Sequence, residues 1–243
     1  MVMIVKTRAI VLHSLRYGDD KLIVDLFTES DGRVSFAVKA AKTKAARSRR
    51  LMFQPLTLLE VTFDMRRQLQ MQQFKDVQFE QPLTSIPFSP VKQSLSLFLG
   101  EMLWHSLRGE QQNMVLFGYI RNSILWLDSA DRGIANFHIA FLLRMPLFMG
   151  FMPNTDDYVR GMAFDLQEGC YVDAVPIHRH VLLGAESEAL RSLLRMTLHN
   201  MHHFAMSRQQ RARCLQVIIE YYRLHLPDFP EPKSLAILHD LWS

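Results

Sequence analysis

The feature that most constrains the fold is a change of hydrophobic period partway along the chain. Through the first eighty residues apolar side chains come in short runs or alternate with polar ones; from Val91 onward they recur every three or four positions. Arg33-Val34-Ser35-Phe36-Ala37-Val38-Lys39 alternates almost strictly, which puts Val34, Phe36 and Val38 on one face of a strand. Residues 9–12, 21–27, 56–63 and 69–79 are further strand candidates. Turn signals separate them at Tyr17-Gly18-Asp19-Asp20, Ser30-Asp31-Gly32 and Gln54-Pro55. Five short strands in about eighty residues predict a small β-barrel of the OB-fold type over residues 1–82.

Pro82, Pro87 and Pro90 mark the change, and Ser89-Pro90 reads as a helix cap followed by proline at the first helical position. The spacing then predicts helices over residues 91–107, 112–127, 134–148, 190–204, 208–226 and 233–241, the third perturbed by Pro146. Residues 153–180 carry Gly161, Gly169 and Pro176 among short apolar pieces and read as an irregular insertion. The expected class is therefore α+β with two domains: a nucleic-acid-binding OB-fold over 1–82, and a mostly α-helical domain over 83–243.

Charge is placed unevenly. Between Gly32 and Leu59 lie Arg33, Lys39, Lys42, Lys44, Arg47, Arg49 and Arg50 with no acidic residue, so this stretch contributes +7 and the remainder −3 to a net charge of +4. A local basic block on a mildly acidic body points to one anionic contact zone. Long cationic side chains among Ala, Ser and Thr can neutralise phosphates without reading base sequence. The plain alternative is a solvated loop that keeps the protein soluble. Phe36 and Phe53 lie near the block and offer stacking surfaces, although Phe36 shares its face with Val34 and Val38 and so reads as core.

Other chemistry is poorly represented. His178, His180, His199, His202 and His203 cluster in sequence with Cys170 and Cys214, but no CxxC pair exists. His199 and His203 are four apart without an intervening Glu, which does not match a metalloprotease helix. Nucleotide-binding glycine loops and GxSxG are absent from the sequence. Asp19-Asp20 and Asp156-Asp157 read as turn residues rather than as a nuclease metal site. The Met- and Phe-rich stretch around Met145, Phe148, Met149 and Phe151 reads as core, with a peptide groove as the alternative. Two isolated cysteines, no export signal at Met1–Val5 and an apolar run at 139–152 broken by Arg144 and Pro146 lead to an expected cytoplasmic, nucleoid-associated location.

Several short motifs together resemble the RecO family of bacterial DNA repair proteins. They are Thr7-Arg8-Ala9-Ile10-Val11-Leu12, Arg16-Tyr17-Gly18-Asp19-Asp20-Lys21, Asp25, Phe27-Thr28 and Gly32. Lys39-Ala40-Ala41-Lys42, Ser48 and Gln54-Pro55-Leu56 continue the match, and Tyr221-Tyr222, His225-Leu226 and Lys233-Ser234-Leu235 extend it to the end. The resemblance implies an OB-fold followed by a helical domain, and a non-enzymatic recombination mediator. Such a protein binds single- and double-stranded DNA, anneals complementary strands and, with RecR, helps load RecA onto DNA covered by single-strand binding protein. The resemblance further implies a grip on the acidic, apolar C-terminal tail of that binding protein, with Phe137, Leu142, Leu143 and Phe151 as the corresponding residues. Two departures stand out: Ala40 replaces a usual glycine, and Cys170 stands alone where many members carry a four-cysteine zinc module. No zinc and no other cofactor is therefore expected. Two readings from other classes remain open: a protein-interaction adaptor whose basic arm meets an acidic partner, and a metal-dependent nuclease.

Overall fold

A computed structural model describes residues 3–18, 21–39, 51–66 and 68–241. The strands β1 (Met3–Tyr17), β2 (Lys21–Thr28), β3 (Gly32–Lys39), β4 (Leu58–Met65) and β5 (Phe74–Phe79) form one antiparallel sheet in the order β3-β2-β1-β4-β5. The long β1 serves two partners. Its first half pairs with β4 and its second half with β2, and a bulge between Val11 and His13 turns it from one to the other. The alternating pattern now has a physical sense. Val24, Leu26, Phe36, Val38, Val61 and Phe63 face a shared apolar core, while their sequence neighbours face the other side of the sheet.

The sheet is OB-fold-like in its order, but it is not the closed barrel expected from the sequence. Among the described residues the edge strand β3 meets the segment leading into β5 at one isolated parallel bridge, Phe36 to Gln72, made by Gln72 N–H donating to the Ser35 carbonyl (2.8 Å) and Ala37 N–H to the Gln72 carbonyl (3.0 Å). Gln72 also explains why the strand expected over 69–79 starts only at Phe74. Its buried side-chain amide donates to the carbonyls of Arg66 and Leu69 and accepts from Arg66 N–H, which holds Gln72 back against Arg66 and Leu69.

The β2–β3 hairpin is fixed by its turn. Thr28 Oγ1 donates to the Gly32 carbonyl and accepts from Asp31 N–H, and Gly32 takes φ of 70°. A Cβ at Gly32 would collide with the backbone of Glu110 and Gln111, so glycine is required there for space as well as for conformation.

By contact the chain divides into Met1–Ser129 with Pro232–Ser243, and Ala130–Glu231. The first unit therefore holds the sheet together with α1 (Pro90–Ser106), α2 (Met114–Ser129) and α6 (Leu235–Leu241), so the packing boundary falls later than the change of period. Ser89 caps α1 by accepting from Lys92 N–H. Glu101 on α1 accepts from the Lys233 and Ser234 amides and from Ser234 Oγ, which ties down the start of α6.

The second unit holds α3 (Phe137–Met149), α4 (Gly184–Leu193), α5 (Arg208–His225) and a small sheet, β7-β6-β8, from β6 (Ala163–Asp165), β7 (Cys170–Val172) and β8 (Val181–Leu182). That sheet occupies the expected insertion. Asp165 organises its hairpin by accepting from Gln167 and Glu168 amides, and Phe164, Leu166, Tyr171 and Leu182 form its core. The helix expected over 190–204 instead ends at Leu193. Thr197 and Asn200 exchange side-chain bonds with each other's amides, a turn that competes with helix continuation. His199 and His203 are consequently not one helical turn apart. Ser207 and Gln210 form a reciprocal capping box at the start of α5.

Candidate nucleic-acid interface

Of the seven expected phosphate-binding cations, Lys42, Lys44, Arg47, Arg49 and Arg50 lie outside the described residues. The remaining two stand at opposite ends of β3 and have different surroundings. Arg33, at the start, faces inward: its side chain is 16% exposed, Nη1 donates to the Trp104 carbonyl (2.7 Å) and Nη2 reaches Asp25 Oδ2 at 3.3 Å. Trp104 lies under its guanidinium at 5.5 Å and donates its own Nε1–H to Asp25 at 2.6 Å, while Ser35 Oγ donates to the other carboxylate oxygen. His13 stacks on the Trp104 ring at 4.3 Å. Burial lowers the pKa of both Arg33 and His13, against the opposing pull of Asp25. This is a satisfied internal cluster that pins α1 to the sheet, and it leaves Arg33 little reach toward a ligand.

Lys39, at the far end of β3, is exposed, and the chain runs from it directly into the basic segment. It stands opposite Lys21 in the β2–β3 register, and Lys21 is exposed too. Phe36 and Phe53 cannot serve as stacking surfaces, because both are fully buried beside Phe74 and Phe63.

The four residues matched to a partner site lie in the second unit. Phe137 and Leu142 are buried, and Phe151 is half-buried against Tyr221, Tyr222 and His225 of α5. Leu143 alone reaches an open apolar groove of about 470 Å³, which Leu182, Ala189, Leu193, Val217 and Ile218 also line. The groove rim carries a bidentate Arg213–Glu186 pair at 2.7 and 2.8 Å. Cys214 lines it as well, its thiol pushed up to about 12 by burial. The walls come mainly from α4 and α5. Their sequence signal, small and apolar residues every third or fourth position at Ala185, Ala189, Leu193 and at Cys214, Val217, Ile218, is ordinary helical amphipathicity.

His138 on α3 is buried, and burial with Arg211 nearby lowers it to about 3. Its folded value lies below the unfolded one, so its contribution is intact above about pH 6.5 and is lost as the pH falls toward 3. At pH 5 the loss amounts to about 2 kcal/mol. Urea unfolding at pH 7.5 and pH 5 should show it, and His138→Leu should shrink the difference by about that amount. Equal losses in both proteins would refute the assignment.

Comparison with known proteins agrees with the order of parts. The family described as "Recombination protein O N terminal" matches residues 1–83, and "Recombination protein O C terminal" matches residues 88–235. The chain is similar to the DNA repair protein RecO of Phocaeicola vulgatus, 42% identical over 99% of this chain and 100% of the relative. It is 44% identical to that of Bacteroides fragilis over the same shares. The Flavobacterium psychrophilum protein is 32% identical over 98% of this chain and 99% of its own length.

Proposed function

Because the chain belongs to the RecO family, we propose that it serves DNA repair as a recombination mediator that works by binding, without covalent catalysis. It holds single- and double-stranded DNA and anneals complementary strands. With RecR it assists RecA loading on strands covered by single-strand binding protein, inside the cytoplasm and close to the nucleoid. The repair role follows the name carried by the relatives, DNA repair protein RecO. Among the described residues no helix is long and apolar enough to cross a membrane.

The observation that carries the DNA reading is Lys39. It stands exposed at the end of β3 and opens a stretch with Lys42, Lys44, Arg47, Arg49 and Arg50 and no acidic residue before Glu60. An acid-free run of cations that continues from an exposed strand end supports sequence-independent phosphate contacts. For the acidic, apolar tail of single-strand binding protein, the groove around Leu143 supplies an apolar floor with Arg213 at its rim. Leu143, which lines the groove, supports this tail site better than Phe137 and Leu142, which do not line it.

The test uses the full chain. A fluorescent oligonucleotide should bind with a steep salt dependence, its complement should anneal faster in the protein's presence, and DNA incubated with magnesium should stay intact. Binding of an acidic, phenylalanine-ended peptide with no DNA binding at low salt would overturn the reading in favour of an adaptor.

A further inference from the structure

We propose that Tyr17, Lys21 and Lys39 form a base-stacking and phosphate-clamping row that selects single-stranded over double-stranded nucleic acid. The inference rests on the DNA-binding reading above and names the residue that would give that site its strand preference.

The argument starts from register. Tyr17 on β1 pairs with Lys21 on β2, and Lys21 pairs with Lys39 on β3. Directly paired residues on adjacent strands share a face, and strands lie about 4.8 Å apart, so the three side chains stand in a line about 10 Å long across the sheet. The next row on the same face, two residues along each strand, is Leu15, Ile23 and Ala37. The intervening residues Leu22, Val24, Phe36 and Val38 face the core. The row is therefore on the outer face.

Exposure singles out this end of the sheet. Tyr17, the last residue of β1, is 63% exposed and Leu15, two residues before it, 53%, so two large apolar side chains stand bare at this end of the sheet. Farther along the same face, His13 and Asp25 are covered by Trp104 of α1. The helix thus leaves a short platform bare: an aromatic ring and a leucine, with two lysines beside them. Among the described residues neither lysine has an ion-pair partner, and two like charges placed directly opposite each other repel. A phosphate between them removes that repulsion, and the cations from Lys42 to Arg50 continue the same path in sequence.

The chemistry then discriminates between strands. A phosphate row serves duplex and single strand alike. An exposed ring is useful only to a base whose face is free, and that condition is met in single strands and not in stacked duplex. Tyr17 therefore supplies preference, while the lysines supply affinity.

The experiment is a titration of the full-length protein with a labelled 20-mer and with the same sequence as duplex, for wild type, Tyr17→Ala, Tyr17→Phe and Lys21→Ala. Tyr17→Ala should weaken single-strand binding roughly ten-fold, with duplex binding within two-fold and the salt slope unchanged. Tyr17→Phe should stay near wild type, because the ring is kept. Lys21→Ala should weaken both ligands and lower the salt slope. An iodouracil-substituted single strand should photo-crosslink to the peptide that contains Tyr17. If Tyr17→Ala binds the single strand as wild type does, or loses both ligands equally, the inference is overturned while the DNA-binding reading stands. If wild type binds neither strand, the reading itself fails and the inference with it.

Discussion

Replacing Lys42, Lys44, Arg47 and Arg49 together by Glu should lower affinity for single-stranded DNA at least about a hundredfold near 0.1 M salt, and should flatten its salt dependence. Each cation that neutralises a phosphate releases condensed counterions, and each lost contact removes about 0.7 from the log–log slope on a single strand. Four reversals also add repulsion, so the effect exceeds simple deletion. Arg33→Met is the control that separates position from composition. It removes a cation of the same stretch, but one committed to Asp25 and the Trp104 carbonyl. It should cost stability and leave the salt slope unchanged. Wild-type affinity in the quadruple variant, measured by fluorescence anisotropy from low to high salt, would remove the basic segment from the binding site.

Asp25→Ala should destabilise the first unit by about 3–5 kcal/mol. Asp25 is 7% exposed and accepts from Arg33, Ser35 and Trp104 Nε1. Removing it strands a guanidinium that is largely out of water and takes away the indole's acceptor, and both penalties fall on the folded state alone. Asp25→Asn keeps an acceptor and should cost less. The double variant Asp25→Ala with Arg33→Met should lose less than the two singles added together, because each single leaves a partner behind that the double removes. Denaturant melts of the four proteins measure this coupling, and strict additivity would mean that the cluster does not act as a unit.

The coarse plan was legible because it rests on local periodicity. Val34, Phe36 and Val38 alternate because one face of β3 is buried, and Leu95, Leu99, Met102 and Leu103 recur at helical spacing because one stripe of α1 is. Failures came where a side chain outcompeted the backbone pattern. Gln72 is held back against Arg66 and Leu69, and Thr197 with Asn200 stops a helix that apolar spacing alone would continue. The site was half legible. A run of cations shows in composition, but the commitment of Arg33 depends on Trp104, 71 residues away, and no local pattern carries that. Tyr17 read as part of a turn signal, since its exposure depends on where α1 stops covering the sheet. Phe137 and Leu142 matched a partner motif by type, yet both are buried and neither lines the groove.

Glu101 holds the first amides of the last helical segment, and Leu238 of that segment is buried against the N-terminal unit. During synthesis this has a consequence in time. The strands and α1 emerge first, yet the residues that complete their unit are made only after the whole of Ala130–Glu231 has been synthesised. At common elongation rates that delay is roughly 5–20 s. For that interval the nascent first unit carries an unfilled seat beside α1, with a carboxylate waiting at its edge. The basic segment is already translated by then. The closing of α6 onto Glu101 is the step that fills that seat and completes the unit.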